Sequence, residues 1–252
     1  MLLGTPAVIG IVATLAMALG AVLGRALTPR AGAVAAVFGI VIVVFAGFPF
    51  LALLALFVAV SSLATRYRFA DKQRQHVQEG RAGERGVSNV IAHIVIPTAL
   101  AVAGGVSPSV FPAAVTALLF ASALAFGAAD TLASEIGVLS GRARSILSGR
   151  PVPPGTNGGV SRNGQLAALA ASVATALVGL ALFWVFGTPL PNLLLFVLVV
   201  TAAGFVACQV DSVLGELFEN RGVLTKGTTN FLGMLSAVAF AAAVLVCAGA
   251  TL

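Results

Sequence analysis

The sequence predicts an all-α fold: a polytopic membrane helix bundle of about eight transmembrane helices, built in part from parallel helix-hairpin repeats, with both termini outside. Three observations predict it. Hydrophobic residues make up 59% of the 252 and charged residues only 9%, far from the roughly one-quarter charged content of soluble domains. Apolar runs that approach the roughly 20 residues needed to cross a bilayer recur along the whole chain, and the mean hydropathy is +1.07. The charges, finally, are confined to alternate loops. A soluble domain, a disordered chain and a coiled coil are excluded by this composition. A disulfide-stapled secreted fold is excluded too, because the only cysteines are Cys208 and Cys247, both read as small apolar core residues.

Taken in order, the first run, 6–27, is a retained span rather than a signal peptide. No basic residue precedes it, and no small-residue cleavage site leads into a soluble domain. The runs 31–46 and 49–65 form a hairpin of two short spans, each about 16 residues or some 24 Å of helix, which must tilt or sit partly inside the bundle. The run 88–104 carries Asn89, His93 and Pro97, so a kinked helix is expected, its freed backbone groups facing protein rather than lipid. The runs 109–135, 161–187, 191–217 and 229–251 complete the set. A transmembrane barrel is excluded because 51–60 reads LALLALFVAV, apolar at every step, where a barrel strand alternates with period two. One integral-membrane domain is expected over 1–252: three helices in 1–65, a basic cytoplasmic loop at 66–87, and a core at 88–252 that includes a glycine-rich loop at 151–161.

Charge placement orients the bundle. All 14 Lys and Arg lie in or beside four segments: Arg25 and Arg30; Arg66, Arg68, Lys72, Arg74, Arg81 and Arg85; Arg142, Arg144, Arg150 and Arg162; Arg221 and Lys226. The intervening loops, around 47–49, 104–109 and 187–191, and both chain ends carry no charge. The positive-inside rule therefore makes the four basic segments cytoplasmic. It also splits 31–65 into two helices, since one long helix would put basic loops on opposite sides. The acidic residues, Asp71, Glu79, Glu84, Asp130, Glu135, Asp211, Glu216 and Glu219, obey the same asymmetry. No carboxylate sits clearly at the midplane, as proton-coupled transport usually requires. One-sided chemistry at a cytoplasmic interface is the expectation.

Two acidic helix ends share the pattern D-[ST]-x-x-[SG]-E: Asp130 to Glu135 and Asp211 to Glu216. Each is followed by a basic loop and then by a Gly-Thr step, Gly155-Thr156-Asn157-Gly158-Gly159 in one case and Gly227-Thr228-Thr229-Asn230 in the other. Two parallel helix–loop–helix units follow, with a fainter echo at 86–89. Asp130 and Glu135 diverge by about 140° on a helix. A carboxylate near the end of an apolar helix is costly unless paired or metal-bound, so Asp130, Glu135, Asp211 and Glu216 are candidate ligands for Mg²⁺ or Mn²⁺. The alternative is a salt bridge to an arginine such as Arg142 or Arg85. The string Pro153-Pro154-Gly155-Thr156-Asn157-Gly158-Gly159-Val160-Ser161 supplies backbone N–H groups just before a helix, suited to cradling phosphate. It lacks the Gly-Lys-[Ser/Thr] ending of a Walker A loop and the preceding strand of a dinucleotide fingerprint. Arg150 and Arg162 flank it. In the basic loop, Lys72 and Arg85 are candidates for a phosphorylated substrate, beside a general role in topology. His76 is read as solvated; His93 either bonds across helices or lines the site.

The strings D-T-x-A-S-E-x-G (130–137), P-P-G-T-N-G-G-V-S (153–161) and D-S-x-x-G (211–215) together resemble the integral-membrane family of plant phytyl-phosphate kinase and transmembrane protein 19. Lys72, Glu79, Gly80, Arg85 and Asn89 also fit it. One departure is His93-Ile94, where the family pattern has an Asn-Gly pair. The resemblance implies a kinase that converts a polyprenyl monophosphate, such as phytyl or geranylgeranyl phosphate, to the diphosphate, with CTP as donor. Asp130, Glu135, Asp211 and Glu216 would then serve Mg²⁺. Asp130, Glu135, Asp211 and Arg85 would be catalytic; Gly155, Thr156, Asn157, Gly158, Gly159, Ser161, Arg162, Lys72, Asn89 and Asn230 would hold nucleotide and phosphate, and Arg85, Arg150, Arg162 or Lys226 would offset developing charge. The expected partners are the bilayer, the lipid phosphate and the nucleotide, with no nucleic acid and a homo-oligomer left open. The alternatives are a CTP-dependent cytidylyltransferase and a lipid-phosphate or anion transporter.

Overall fold

The structure, a computed structural model, describes residues 4–80, 82–190 and 192–249. Arg81 of the basic loop, Pro191 of the sixth loop and the extreme termini lie outside the described residues. The chain forms α1 (Thr5–Leu23), α2 (Pro29–Phe45), α3 (Phe48–Arg66), the short α4 (Phe69–Arg74), α5 (Val87–Val106), α6 (Ala113–Gly137), α7 (Arg162–Val185), α8 (Leu193–Leu214) and α9 (Lys226–Cys247). Seven of the helices are long and apolar enough to cross a membrane, and α2, at 17 residues, is an eighth apolar helix just below that length. The break between α2 and α3 falls at residues 46–47, so the hairpin read from charge placement is present. Proline opens α1, α2 and α3 within the first turn, where its missing N–H costs nothing. Thr28, Ser161, Asn192 and Thr225 cap α2, α7, α8 and α9 with their side chains, each satisfying an orphan donor of the first turn.

The bundle is organised around α6. In its most apolar stretch 83% of residues are buried, against 11–50% in the other long helices. It packs on α3, α5, α7, α8 and α9. Between lipid-bathed helices there is little hydrophobic driving force, so close packing has to supply the association. Phe50, from α3, meets Phe120 of α6 at 5.0 Å and Phe183 of α7 at 4.8 Å between ring centroids. Alanines of α6, α8 and α9 let the backbones approach between these rings; Ala117, Ala121, Ala125, Ala203 and Ala237 have no solvent exposure. Helix α5 runs on through Pro97, which is buried against protein. Cys208 is buried, but Cys247 is exposed near the end of α9, so the expectation of a core position fails for it.

The helix pairs α6–α7 and α8–α9 are the two parallel hairpins. Their connections differ in kind. Residues 143–160 form a small three-stranded antiparallel sheet, β1 (Ala143–Ser145) between β2 (Pro151–Val152) and β3 (Gly159–Val160), which the all-α expectation omitted. Strands of two and three residues carry no readable periodicity. The second connection is shorter, and α8 runs into it through a π-helical turn, Gly215–Glu219.

Candidate active site at the charged end of the bundle

A cavity of about 320 Å³ lies at the charged end, walled by the segment 76–79, the ends of α6 and α8, the loop 154–161 and the starts of α7 and α9. The two repeats meet there. Asp130 of α6 and Asp211 of α8 both line it and are close enough to act on each other electrostatically. Neither forms an ion pair among the described residues, and Asp211 Oδ1 is buried without any hydrogen-bond partner. Gly233 of α9 makes the room: a Cβ there would lie 2.4 Å from the Phe126 ring and 3.1 Å from Asp211 Oδ1. Two facing carboxylates with no base between them repel unless a cation or a proton separates them.

The glutamates of the two repeats are both tied up by protein partners, although Glu135 also lines the cavity. Glu135 is buried and fully engaged: Lys72 Nζ donates to Oε2 at 2.6 Å and Thr65 Oγ1 to Oε1 at 2.7 Å. Lys72, with no exposure at all, also donates to the carbonyls of Ala64 and Thr65 at 2.8 and 3.1 Å. The pair therefore clasps α4 and the end of α3 to α6. Its base is neither of the arginines suggested by the sequence. Glu216 does the corresponding work on the other repeat. It does not line the cavity; it accepts from Ser145 Oγ at 2.6 Å and from the Leu147 N–H at 3.4 Å, fastening the β1–β2 turn to α8. Glu219 lines the cavity instead. The π turn adds a residue to the spiral after Asp211 and brings Glu219 round to the cavity side, a common use of π turns at functional sites.

The glycine-rich loop is held firmly. Gly158, at φ +78°, lies against α8 so closely that a Cβ would come within 2.4 Å of the Glu216 Cβ and 2.9 Å of the Ser212 carbonyl. Asn220 Nδ2 donates to the Asn157 carbonyl at 3.1 Å. Within the loop the Thr156 and Gly159 amides are spent on the Pro153 and Thr156 carbonyls. The amides of Gly155, Asn157 and Gly158 form no hydrogen bond within the described protein. Free amides in a rigid, partly left-handed turn make an anion cradle. Ser161 lines the cavity while capping α7 through the Gly164 N–H at 3.1 Å, and Asn230 presents a buried amide to it.

Of the other expected residues, Lys226 lines the cavity and pairs with Glu79 at 3.0 Å. Burial pushes the Glu79 carboxyl up, but Lys226 and Arg85 outweigh it and hold it below the usual carboxylate range. Lys72, Arg85, Asn89 and Arg162 do not line the cavity. Arg162 is exposed on the first turn of α7, because the Ser161 cap turns that side of the helix outward. His76 is exposed but stands at the cavity wall. His93 is buried in the packing of α5, its Nδ1 bonded to the Asn89 carbonyl at 2.9 Å and its ring 5.7 Å from that of Phe57. Glu219 and Glu79 were not singled out as site residues from sequence. For Glu219 the available signal was its place two turns beyond Asp211 on the same helix.

The acids suit one small hard cation better than a caged one. No group of three or more His, Cys, Asp or Glu among the described residues forms a metal cluster. Mg²⁺ is commonly held by one or two carboxylates, with water and substrate phosphate as its other ligands. Asp130 and the orphaned Asp211 Oδ1 fit that pattern.

Fold and site together define an integral-membrane helical bundle with an acidic, glycine-walled cavity at one end. The chain belongs to the integral membrane protein family DUF92, which matches residues 12–238. It is 31% identical over 224 residues to the uncharacterized membrane protein sll0875 of Synechocystis, covering 85% of this chain and 82% of that one. It is 32% identical over 199 residues to protein PGR of Arabidopsis thaliana, covering 70% and 67%. With the chloroplastic protein VTE6 of the same plant it shares 31% over 176 residues, 67% of this chain and 49% of that protein. These relatives agree with the family resemblance read from the motifs. No solved structure matches.

Proposed function

We propose that the protein is a membrane kinase of isoprenoid metabolism that phosphorylates a polyprenyl monophosphate to the diphosphate, with CTP as donor and Mg²⁺ at Asp130 and Asp211, its site facing the cytoplasm. The observation that carries this is the facing pair Asp130 and Asp211 beneath a glycine loop with three free amides. One wall offers ligands for a cation and the other a cradle for phosphate. The motif resemblance to the phytyl-phosphate kinase family, with which the family match and the relatives PGR and VTE6 agree, supports a membrane role in isoprenoid chemistry.

Phosphoryl transfer needs alignment and charge neutralisation more than covalent help. An oxygen of the lipid phosphate attacks the γ-phosphorus, the bond from that phosphorus to the β–γ bridging oxygen breaks, and CDP leaves. The acceptor is already anionic, so no strong base is needed. In this reading the amides of Gly155, Asn157 and Gly158 bind the donor's phosphates, Asn230 and Ser161 orient them, and Lys226 offsets charge that develops on the transferring group. Asp130 and Asp211 would hold Mg²⁺, which when bound would neutralise phosphate charge, with Glu219 at the cavity wall. Glu135, Lys72 and Glu216 act by fixing the walls. The deciding assay supplies purified protein, geranylgeranyl monophosphate and Mg²⁺ with CTP labelled at the γ or the α position. The reading predicts γ label in a prenyl diphosphate. Label from the α position in lipid would make the protein a cytidylyltransferase instead, and no lipid product from folded protein would turn attention to transport.

A further inference from the structure

A second, smaller cavity of about 50 Å³ lies where α3 and α5 part company, lined by Leu54, Phe57 and Val58 of α3, by Leu27 and Ala35 at and within α2, and by Arg85, Asn89, Val90, His93 and Ile94 at and within α5. Its walls are apolar except at one end. There the Arg85 guanidinium, 6% exposed, reaches Asn89 Oδ1 at 3.3 Å and the hydroxyls of Thr65 and Thr131 at 3.5 and 3.4 Å. These are long bonds to neutral groups. Arg85 forms no ion pair among the described residues, and its Nε has no partner at all. Glu79, Glu135 and Asp130 act on it only at longer range; a buried guanidinium with no carboxylate in contact is costly, and one with a free donor is suited to a phosphate. A second orphan points the same way: His93 donates through Nδ1 to the Asn89 carbonyl, leaving Nε2 buried and unpartnered beside the cavity.

We infer that this cavity is the acceptor subsite: Arg85 takes the phosphate of the prenyl phosphate, and the first isoprenyl unit lies between Leu54, Phe57 and Ile94. The inference rests on the kinase reading for the identity of its ligand. Its size fits. One water-sized group needs roughly 10–15 Å³ on this measure, so about four such groups fill the cavity, close to one five-carbon branched unit. The rest of the tail passes to the lipid along α2 and α3, whose Val37, Leu56 and Val60 are exposed. Its position fits as well. Arg85 bonds Thr131, the neighbour of Asp130, so a phosphate on Arg85 stands beside the acidic pair of the larger cavity.

The test uses the full chain in lipid nanodiscs and a geranylgeranyl monophosphate that carries a diazirine on its first isoprenyl unit. Irradiation without nucleotide is expected to label Leu54, Phe57, Val58 or Ile94. Leu54→Trp, which fills the cavity, should lower labelling at least tenfold, and Arg85→Gln should do the same while leaving any CTP-induced thermal shift unchanged. Val58→Trp serves as the second filling variant, with thermal unfolding as the check on folding of each. Label placed on α7 or α8, or labelling unaffected by the filling variants, would overturn the inference. Label in this cavity with no phosphoryl transfer would retire the kinase reading and leave the lipid-phosphate site standing.

Discussion

Lys72 Nζ lies 2.6 Å from Glu135 Oε2, the lysine with no side-chain exposure and the glutamate with 8%. The two residues are 63 positions apart, and their pairing locks the basic segment after α3 onto the central helix. Removing one partner of a buried pair strands the other charge, at a cost of about 3–5 kcal/mol. Lys72→Met is therefore expected to lower the unfolding temperature sharply, and adding Glu135→Leu to restore much of the loss. Unchanged stability with a raised KM for substrate would place Lys72 in the binding site instead.

Glu216 and Glu219 make opposite predictions. Glu216 is tied to Ser145 and the Leu147 amide while Glu219 faces the cavity. Glu219→Gln should reduce turnover by about tenfold or more with stability kept, since it acts on charge in the site. Glu216→Gln should cost about 1 kcal/mol of stability and leave the KM for nucleotide within a small factor. Initial rates and thermal unfolding of the two variants, measured together, check this.

Gly158→Ala tests the cradle. The added methyl meets Glu216 and the Ser212 carbonyl, at a backbone φ of +78° that costs an alanine roughly 1–2 kcal/mol. The loop must lift from α8, carrying the free amides out of register. The expected result is loss of the thermal shift on adding CTP, with the protein still extracted as a folded species. A normal shift in this variant would remove the loop from nucleotide binding.

The Glu79–Lys226 pair closes one wall of the cavity. The Glu79 carboxyl titrates below its ordinary value of 4.5 in the folded protein, so the stability it contributes is complete above that pH and disappears as pH falls through the folded-state value. Wild type should therefore unfold at a higher temperature than Glu79→Gln at pH 7 and pH 5, and the two curves should converge as pH falls below 4.5 and through the lowered folded-state value. Melting both proteins from pH 7 to pH 3 measures the convergence.

The membrane architecture was legible because charge is a one-dimensional signal. Basic residues in alternate loops divide 31–65 into two helices without any knowledge of packing, and the chain does break there. Asp130 and Asp211 were legible because the two repeats carry them in the same pattern, so each marks the other. The same pattern does not reveal how their companions are held, although Glu135 lines the cavity as they do. Glu135 and Glu216 occupy matching positions in the pattern, but each is held by a partner more than 60 residues distant, which spacing does not reveal. The π turn that admits Glu219 in place of Glu216 has no signature in composition. Arg162 sits beside the loop in sequence and turns outward in space. Arg85 was found as a charge, but its isolation among Thr65, Thr131 and Asn89 emerges only once α3, α5 and α6 are assembled.

The central claim is that Asp130 and Asp211 hold one divalent cation with the donor's phosphates. Electron paramagnetic resonance of Mn²⁺ titrated into the purified protein, with and without CTP, tests it without reference to turnover. The account predicts one Mn²⁺ bound in the presence of CTP, with affinity at least tenfold weaker in Asp130→Asn and in Asp211→Asn and unchanged in Glu216→Gln. Equal Mn²⁺ binding by the wild type and both aspartate variants would contradict it.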